Sequence, residues 1–321
     1  MSNGRSGVQR LNKEISYEDI DNLILEKWEK VREYLQPKIY DAAKTMENLG
    51  IEGIPKYLVT GGKMFRGFLT ILFAESLGSN IEFASDAAVA IEMVHAASLA
   101  IDDIVDNDVN RRGKLSSWIV YGIGKTALTA LLLVPVAQRV IEKYGFDAIK
   151  YSIKSWESMV RGEIMDAYAS IKLLPSEYLN VVKLKTASLF SLSTVLGAIA
   201  AKNSTVLDNA EFYGDKLGIA YQLADDISDY YSYLIGKKEK LDPGEVLFEK
   251  WIMQKYAIKD RGDDVVKNGM NMLNDIVFEA SNSISEFPDS SQKSMLERIP
   301  YFMVSKMLES SGLSFKKFNE E

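Results

Sequence analysis

Apolar residues in this chain recur at i, i+3, i+4 and i+7 through Tyr17–Leu35, Ile81–Val105, Thr126–Tyr144, Glu177–Ala201 and Glu211–Tyr233. That spacing lines one face of an α-helix. Alternating apolar and polar runs bounded by turn residues, the mark of strands, are scarce. Gly, Pro, Asn and charged residues interrupt the helical runs at Gly50–Pro55, Gly78–Asn80, Arg111–Leu115, Lys202–Thr205, Gly236–Gly244 and Glu286–Ser291. Segments around 81–105 and 177–233 are apolar on most faces, which predicts that they fill the centre of a bundle. No shift in composition marks a boundary. The pattern therefore predicts an all-α fold, one large helical domain over residues 1–321, with 1–15 the candidate disordered segment.

Composition narrows the class. With 47% hydrophobic residues in 321, a substantial core is available. There is no cysteine, so neither disulfides nor thiolate metal sites can form. The net charge of -7 argues against nonspecific nucleic-acid binding. The first twenty residues lack the apolar stretch of a signal peptide. The longest apolar stretches, near 126–137 and 189–201, fall short of the roughly 20 residues that span a bilayer. The expectation is a cytoplasmic protein without a transmembrane segment.

Two distant segments resemble each other. Ser98-Leu-Ala-Ile-Asp-Asp-Ile-Val-Asp106 and Tyr221-Gln-Leu-Ala-Asp-Asp-Ile-Ser-Asp229 both place DDxxD at the end of an apolar helical run. On a helix, Asp102 and Asp106 stand at i and i+4 and share a face, as do Asp225 and Asp229. Like charges at that spacing cost about a few tenths of a kcal/mol per pair. Carboxylates crowded beside apolar surface invite a cation. Oxygen donors without Cys or His select Mg²⁺, completed by water and substrate phosphates. A single DDxxD is more often a solvated acidic turn; two matched copies point to function. Asp106-x-Asp108-x-Asn110 is no calcium loop, because Arg111 and Ser117 replace the required Gly and Glu. Gly124-Lys125-Thr126 is no phosphate loop, because Ile119 replaces the first glycine.

Cations supply the other half of the chemistry. Gly61-Gly62-Lys63-Met64-Phe65-Arg66 places two cations at i and i+3 after a Gly-Gly break, where backbone N–H groups could join them on an anion. Arg111-Arg112-Gly113 follows the first acidic cluster. Taken singly, such residues are more often surface cations. Lys185 differs: set among Val181, Leu184, Leu189 and Phe190, its ammonium needs an anionic partner once buried. Cations beside Mg²⁺ sites in an acidic protein suggest a diphosphate.

At this point the sequence resembles the trans-prenyl diphosphate synthases, over about residues 55–235. GGKMFRG is similar to the family's GGKRxRP, IEMVHAASLAIDDIVDNDVNRRG to its first aspartate-rich region, KLKTASLF to its Lys-Thr motif and YQLADDISDY to its second aspartate-rich region. The wording is most similar to archaeal enzymes making hexaprenyl chains. The resemblance implies a helical bundle around a central cavity and an elongation of allylic diphosphates by isopentenyl diphosphate. It assigns Asp102, Asp106 and Asp225 to Mg²⁺, with Asp103, Asp226 and Asp229 contributing directly or through water. Arg111, Lys185, Thr186 and Gln222 would contact the allylic diphosphate. Lys63, Arg66, His95 and Arg112 would bind isopentenyl diphosphate. On pattern alone His95, the only histidine, reads as a hydrogen-bonded core residue. A homodimer is implied by the family, and transient membrane contact is compatible with release of a long apolar product.

The expected chemistry is ionisation of the allylic C–O bond, attack by the second substrate's double bond and loss of a proton, with water excluded. Ala97 and Ser98, five and four positions before Asp102, lie where the growing tail would pass. Family members that stop at fifteen carbons carry bulky aromatics there, so the expectation is a longer product, thirty carbons favoured. This chain departs from the family at Met64 and Gly67, in place of arginine and proline, and at Glu163, where glutamine is common. Its lid region after Asp229 is hard to find, leaving Lys237 of Gly236-Lys237-Lys238 as the candidate phosphate ligand. Two other readings are a class I terpene cyclase and a non-catalytic subunit of a heteromeric synthase. The first would not need Lys63, Arg66 and His95, and the second usually loses one Asp cluster.

Overall fold

In the computed structural model, which describes residues 16–46, 50–169 and 172–315, helices dominate. The core layer consists of α3 (Phe65–Ser76), α4 (Ile81–Val105), α9 (Ser188–Ala200) and α10 (Leu207–Leu234), which pack against one another. Around them stand α1 (Tyr17–Lys44), α6 (Ile123–Ile141), α7 (Phe146–Ile164), α12 (Asp263–Asn282) and α13 (Ser291–Ser311). Short helices α2 (Ile54–Val59), α5 (Ser117–Tyr121), α8 (Tyr178–Val182) and α11 (Pro243–Tyr256) close the bundle. One hydrophobic cluster runs from Ile24 on α1 to Leu308 on α13. The segment 1–15, expected to be disordered, lies outside the described residues.

Local chemistry explains the starts and stops. The Ser16 hydroxyl accepts the Asp19 N–H at 3.1 Å while the Asp19 carboxylate accepts the Ser16 N–H, a capping box that opens α1. Asn80 caps α4 by accepting the Phe83 N–H at 3.0 Å. α4 keeps the bounds that its apolar period predicts, and α10 extends the predicted run by a few residues at its start. α1 runs past the predicted Leu35, carrying Pro37 inside it. α9 and α10 approach closely because Gly214 has no side chain: a Cβ there would lie 2.4 Å from the Ser191 Cα.

Two features depart from expectation. The segment Arg111–Leu115, read as a loop, belongs with Asn110 to a small antiparallel hairpin, Asn110–Arg111 pairing with Lys114–Leu115. Its two-residue turn holds Arg112 at φ 55° and Gly113 at φ 74°, the doubly left-handed geometry that suits a tight hairpin. Two continuous helical stretches, Ile123–Tyr144 and Pro175–Ala200, are also long and apolar enough to cross a membrane, contrary to the short apolar runs seen in the sequence. In the second, 72% of the apolar window is buried inside the protein. A bundle's central helix needs the same all-round apolarity that a bilayer demands, which accounts for that one.

Candidate active site

α4 and α10 each carry an aspartate cluster at or near the C-terminal end. Successive residues on a helix turn by about 100°, so the first and last aspartates of DDxxD share a face and the middle one turns away. Accordingly Asp102 is half-buried and Asp106 exposed, while Asp103 is 3% exposed and ion-paired to Arg111. On α10, Asp225 and Asp229 reach solvent. Asp226 is buried, accepting hydrogen bonds from the Tyr178 hydroxyl and, at 3.1 Å, from Gln222 Nε2. Although Asp225 reaches solvent, the protein packed around its carboxyl strips part of its hydration and, with the neighbouring Asp229 charge, pushes it up to about 6. Burial pushes Asp226 up to about 7 in spite of its hydrogen bonds. Asp106 is raised by desolvation and by Asp102 beside it.

The Lys-Thr pair joins the two clusters. Between α8 and α9 the helix widens into a π-turn at Lys183–Ala187, a distortion often found at functional sites. There Lys185 Nζ meets Asp102 at 3.1 Å, Glu163 at 3.1 Å and Asp166 at 2.6 Å. Burial disfavours the Lys185 charge, but Asp102, Asp166 and Glu163 outweigh it and raise its pKa. The next residue, Thr186, donates from Oγ1 to Gln222 Oε1 at 3.0 Å, and Gln222 donates in turn to Asp226. Gly162 permits this convergence: a Cβ there would fall 2.3 Å from the Lys185 backbone nitrogen. α7 therefore closes on the π-turn and presents Glu163 and Asp166. Burial pushes the Glu163 carboxyl up to about 7 against the pull of Lys185.

A second cationic pocket lies beside the first cluster. The 110–115 hairpin docks on α2, where the Tyr57 hydroxyl donates to the Leu115 carbonyl at 2.7 Å and Lys114 Nζ donates to the Tyr57 carbonyl at 2.7 Å. This fixes Arg111 against Asp102, Asp103 and Asp108. Arg112 lies over the Gly61–Gly62 turn, where a Cβ on Gly62 would stand 3.1 Å from the guanidinium. Arg66 stacks on the Phe190 ring at 4.5 Å and contacts His95 Nε2 at 3.1 Å. A guanidinium only donates, so His95 Nε2 accepts and the imidazole proton resides on Nδ1. Burial, then the Arg66, Arg112 and Arg111 charges, holds His95 well below its usual pKa and so neutral. Glu92, buried on α4, accepts the Gly67 N–H at 2.7 Å, a bond that proline at that position could not donate.

The structure thus gathers Asp102, Asp103, Arg111, Lys185, Thr186, Gln222 and Asp226 into one connected network, with Asp106 one turn beyond Asp102 and with Asp225 and Asp229 sharing a face of α10. Arg66, His95 and Arg112 cluster next to it. The Lys63 side chain is exposed, and its carbonyl accepts the Trp28 indole N–H at 2.7 Å. Ala97 is fully buried on α4 and Ser98 half-buried, its hydroxyl satisfied by the His95 carbonyl at 2.8 Å. Lys237 Nζ donates to the Ser311 carbonyl at 3.5 Å. Its neighbour Lys238 instead contacts Asp229 at 2.8 Å, Asp242 at 3.1 Å and Glu245. The Tyr233–Gly236 turn ends α10 and directs consecutive lysines to opposite sides. Lys238, Asp166 and Glu92 escaped the sequence reading. For Asp166 the signal was present, since Gly162-Glu163-x-x-Asp166 puts both carboxylates on one helical face.

Comparison with known proteins agrees with this arrangement. The polyprenyl synthetase family profile matches residues 50–262. The chain is 35% identical to a hexaprenyl pyrophosphate synthase of Saccharolobus solfataricus over 76% of this chain and 88% of the relative. It is 25% identical to a geranylfarnesyl diphosphate synthase of Methanosarcina mazei over 89% of this chain and 95% of the relative. Its fold matches the crystal structure of a polyprenyl synthase from Caulobacter crescentus, complexed with calcium and isoprenyl diphosphate. That match has a TM-score of 0.69 and 22% identity, covering 90% of this chain and 98% of the other. This chain belongs to the polyprenyl synthetase family and is a prenyl diphosphate synthase.

Proposed function

We propose that the cleft between the two aspartate clusters ionises an allylic diphosphate, that the Arg66–His95–Arg112 pocket holds isopentenyl diphosphate, and that the product is hexaprenyl diphosphate. The single observation that carries this reading is the chain Asp102–Lys185–Thr186–Gln222–Asp226, which ties both clusters into one site.

Asp102, Asp106 and Asp225 suit Mg²⁺. Such an ion takes one or two carboxylates and completes its shell with water and phosphate. The ammonium of Lys185 already resting against Asp102 marks the place as one that favours a cation. Bound there, Mg²⁺ would neutralise the charge that develops on the departing diphosphate. Lys185, Thr186 and Arg111 bind that group and orient it, and Gln222 holds Thr186 in place. Arg66 and Arg112 fix the second diphosphate, with neutral His95 as a hydrogen-bonding rather than charged partner. Lys63, exposed at the rim of that pocket, joins them when substrate enters. Phe190 and Tyr221, rings 5.4 Å apart, help to wall the reacting carbons from water.

Ala97 and Ser98 are small where a bulky aromatic would stop the tail, which supports a product longer than fifteen carbons. The similarity to a hexaprenyl pyrophosphate synthase favours thirty. Leu128 and Leu131 on α6 and Ile153 on α7 are exposed, and pairing of two copies across that face would cover them; light scattering should then report a dimer. Sizing the products from farnesyl or geranylgeranyl diphosphate, labelled isopentenyl diphosphate and Mg²⁺ tests the assignment. A dominant C30 species is expected, and a ladder ending at C20 or below would overturn it.

A further inference from the structure

Lys185 sets its ammonium against three carboxylates, donating to Asp166 at 2.6 Å and ion-pairing with Asp102 and Glu163 at 3.1 Å, so its charge is already engaged. Of the three partners Glu163 is the least satisfied. It takes Lys185 with Oε2, while Oε1 is buried without a hydrogen-bond partner, although an unmade bond at a buried oxygen is costly. It is carried on α7, which the close approach of Gly162 holds against the π-turn that bears Lys185. A buried carboxylate kept at that cost and aimed at one ammonium has a task that involves the ammonium.

We propose that Glu163 is a positioning residue that holds Lys185 withdrawn from the allylic diphosphate until a divalent cation takes Asp102. Lys185 is then the stand-in cation of the unloaded site. With Asp102 engaged by a divalent cation, Lys185 would lose one of its three anchors and its head would be free to turn to the diphosphate. Glu163 and Asp166, the two anchors that remain, set how readily the ammonium leaves. An amide at position 163 would preserve shape but weaken the hold, so Lys185 would bind phosphate before the metal arrives. The carboxylate therefore makes diphosphate binding depend more steeply on the divalent ion, which guards against an ammonium pairing with substrate in a site not yet able to ionise it. This rests on the proposed contact of Lys185 with the allylic diphosphate.

The test is calorimetric binding of inorganic pyrophosphate to the whole protein at pH 8, with chelator or with Mg²⁺, in wild type, Glu163→Gln, Lys185→Gln and the double variant. In chelator, Glu163→Gln should bind pyrophosphate about tenfold tighter than wild type, a gain of about 1.4 kcal/mol. The gain should vanish in the Lys185→Gln background, because it acts through that ammonium. A gain of equal size in both backgrounds would mean that only a repelling charge was removed, and would overturn the inference. So would the absence of any gain. Lys185→Gln alone should weaken binding in Mg²⁺; if it does not, the parent assignment of Lys185 fails, and the inference with it. Glu163→Met, of similar length and without charge, gives the same readings should the amide variant not fold.

Discussion

The middle aspartate of each cluster is the residue that structure sets apart from its neighbours. Asp103 and Asp226 are buried and bonded to Arg111 and to Tyr178 with Gln222, whereas the outer aspartates face the cleft. Replacing Asp103 by Asn should therefore act through Arg111, raising KM for the allylic substrate more than it lowers kcat. Steady-state kinetics with each substrate varied in turn would show it. The two lysines after α10 give a sharper contrast. Lys237→Ala should leave elongation within about twofold of wild type, while Lys238→Ala, which frees Asp229 and Glu245 from their shared cation, should lower kcat/KM by about tenfold or more, of the order of 1.4 kcal/mol. Equal effects would refute the placement. At Ala97, fully buried beneath Asp102, a phenylalanine should block the tail. Ala97→Phe is expected to shift products toward fifteen carbons, read by chromatography of the dephosphorylated alcohols.

Elements matter here through where they are irregular. The apolar period located α4 and α10 because their burial is nearly all-round, and the DDxxD spacing then fixed which aspartates share a face. The π-turn at Lys183–Ala187 left no such mark, because an extra residue in a helical turn changes the hydrogen-bond ladder and not the composition. The 110–115 hairpin was equally hidden: its strands are two residues each, too short for alternation to register, and a non-glycine residue, Arg112, occupies a left-handed position. The different partners of Lys237 and Lys238 were hidden too, since a turn's direction is not written in the identity of adjacent lysines. Gly162 is where element geometry and chemistry meet. Gly162→Ala would push the π-turn off α7, costing about 1–3 kcal/mol by overpacking. Urea melts should show that loss, together with a fall in kcat larger than stability explains, since Lys185 moves with the backbone.

For the molecule as a whole, the acidic site is a strain on the metal-free fold. Glu163 and Asp226 ionise near 4.5 and 3.8 in ordinary surroundings, but burial lifts both to about 7 in the folded protein. Between those values the folded chain holds protons that the unfolded chain has lost, so stability falls as pH rises from about 4 to about 7 and then levels. With chelator present, calorimetry should find a lower Tm at pH 8 than at pH 5, and Glu163→Gln should shrink that difference. An unchanged difference in the variant would contradict the account. Mg²⁺ with pyrophosphate should raise Tm most at pH 8, where the carboxylates are already charged.

The most direct measurement is elongation of farnesyl diphosphate by labelled isopentenyl diphosphate with and without Mg²⁺, in wild type, Asp102→Ala and Asp225→Ala. The account predicts metal-dependent elongation in wild type and a drop of about a thousandfold or more in each variant, with folding intact by circular dichroism. Elongation that survives either substitution, or folded wild type that elongates nothing, would contradict the claim that the two clusters form one ionising site.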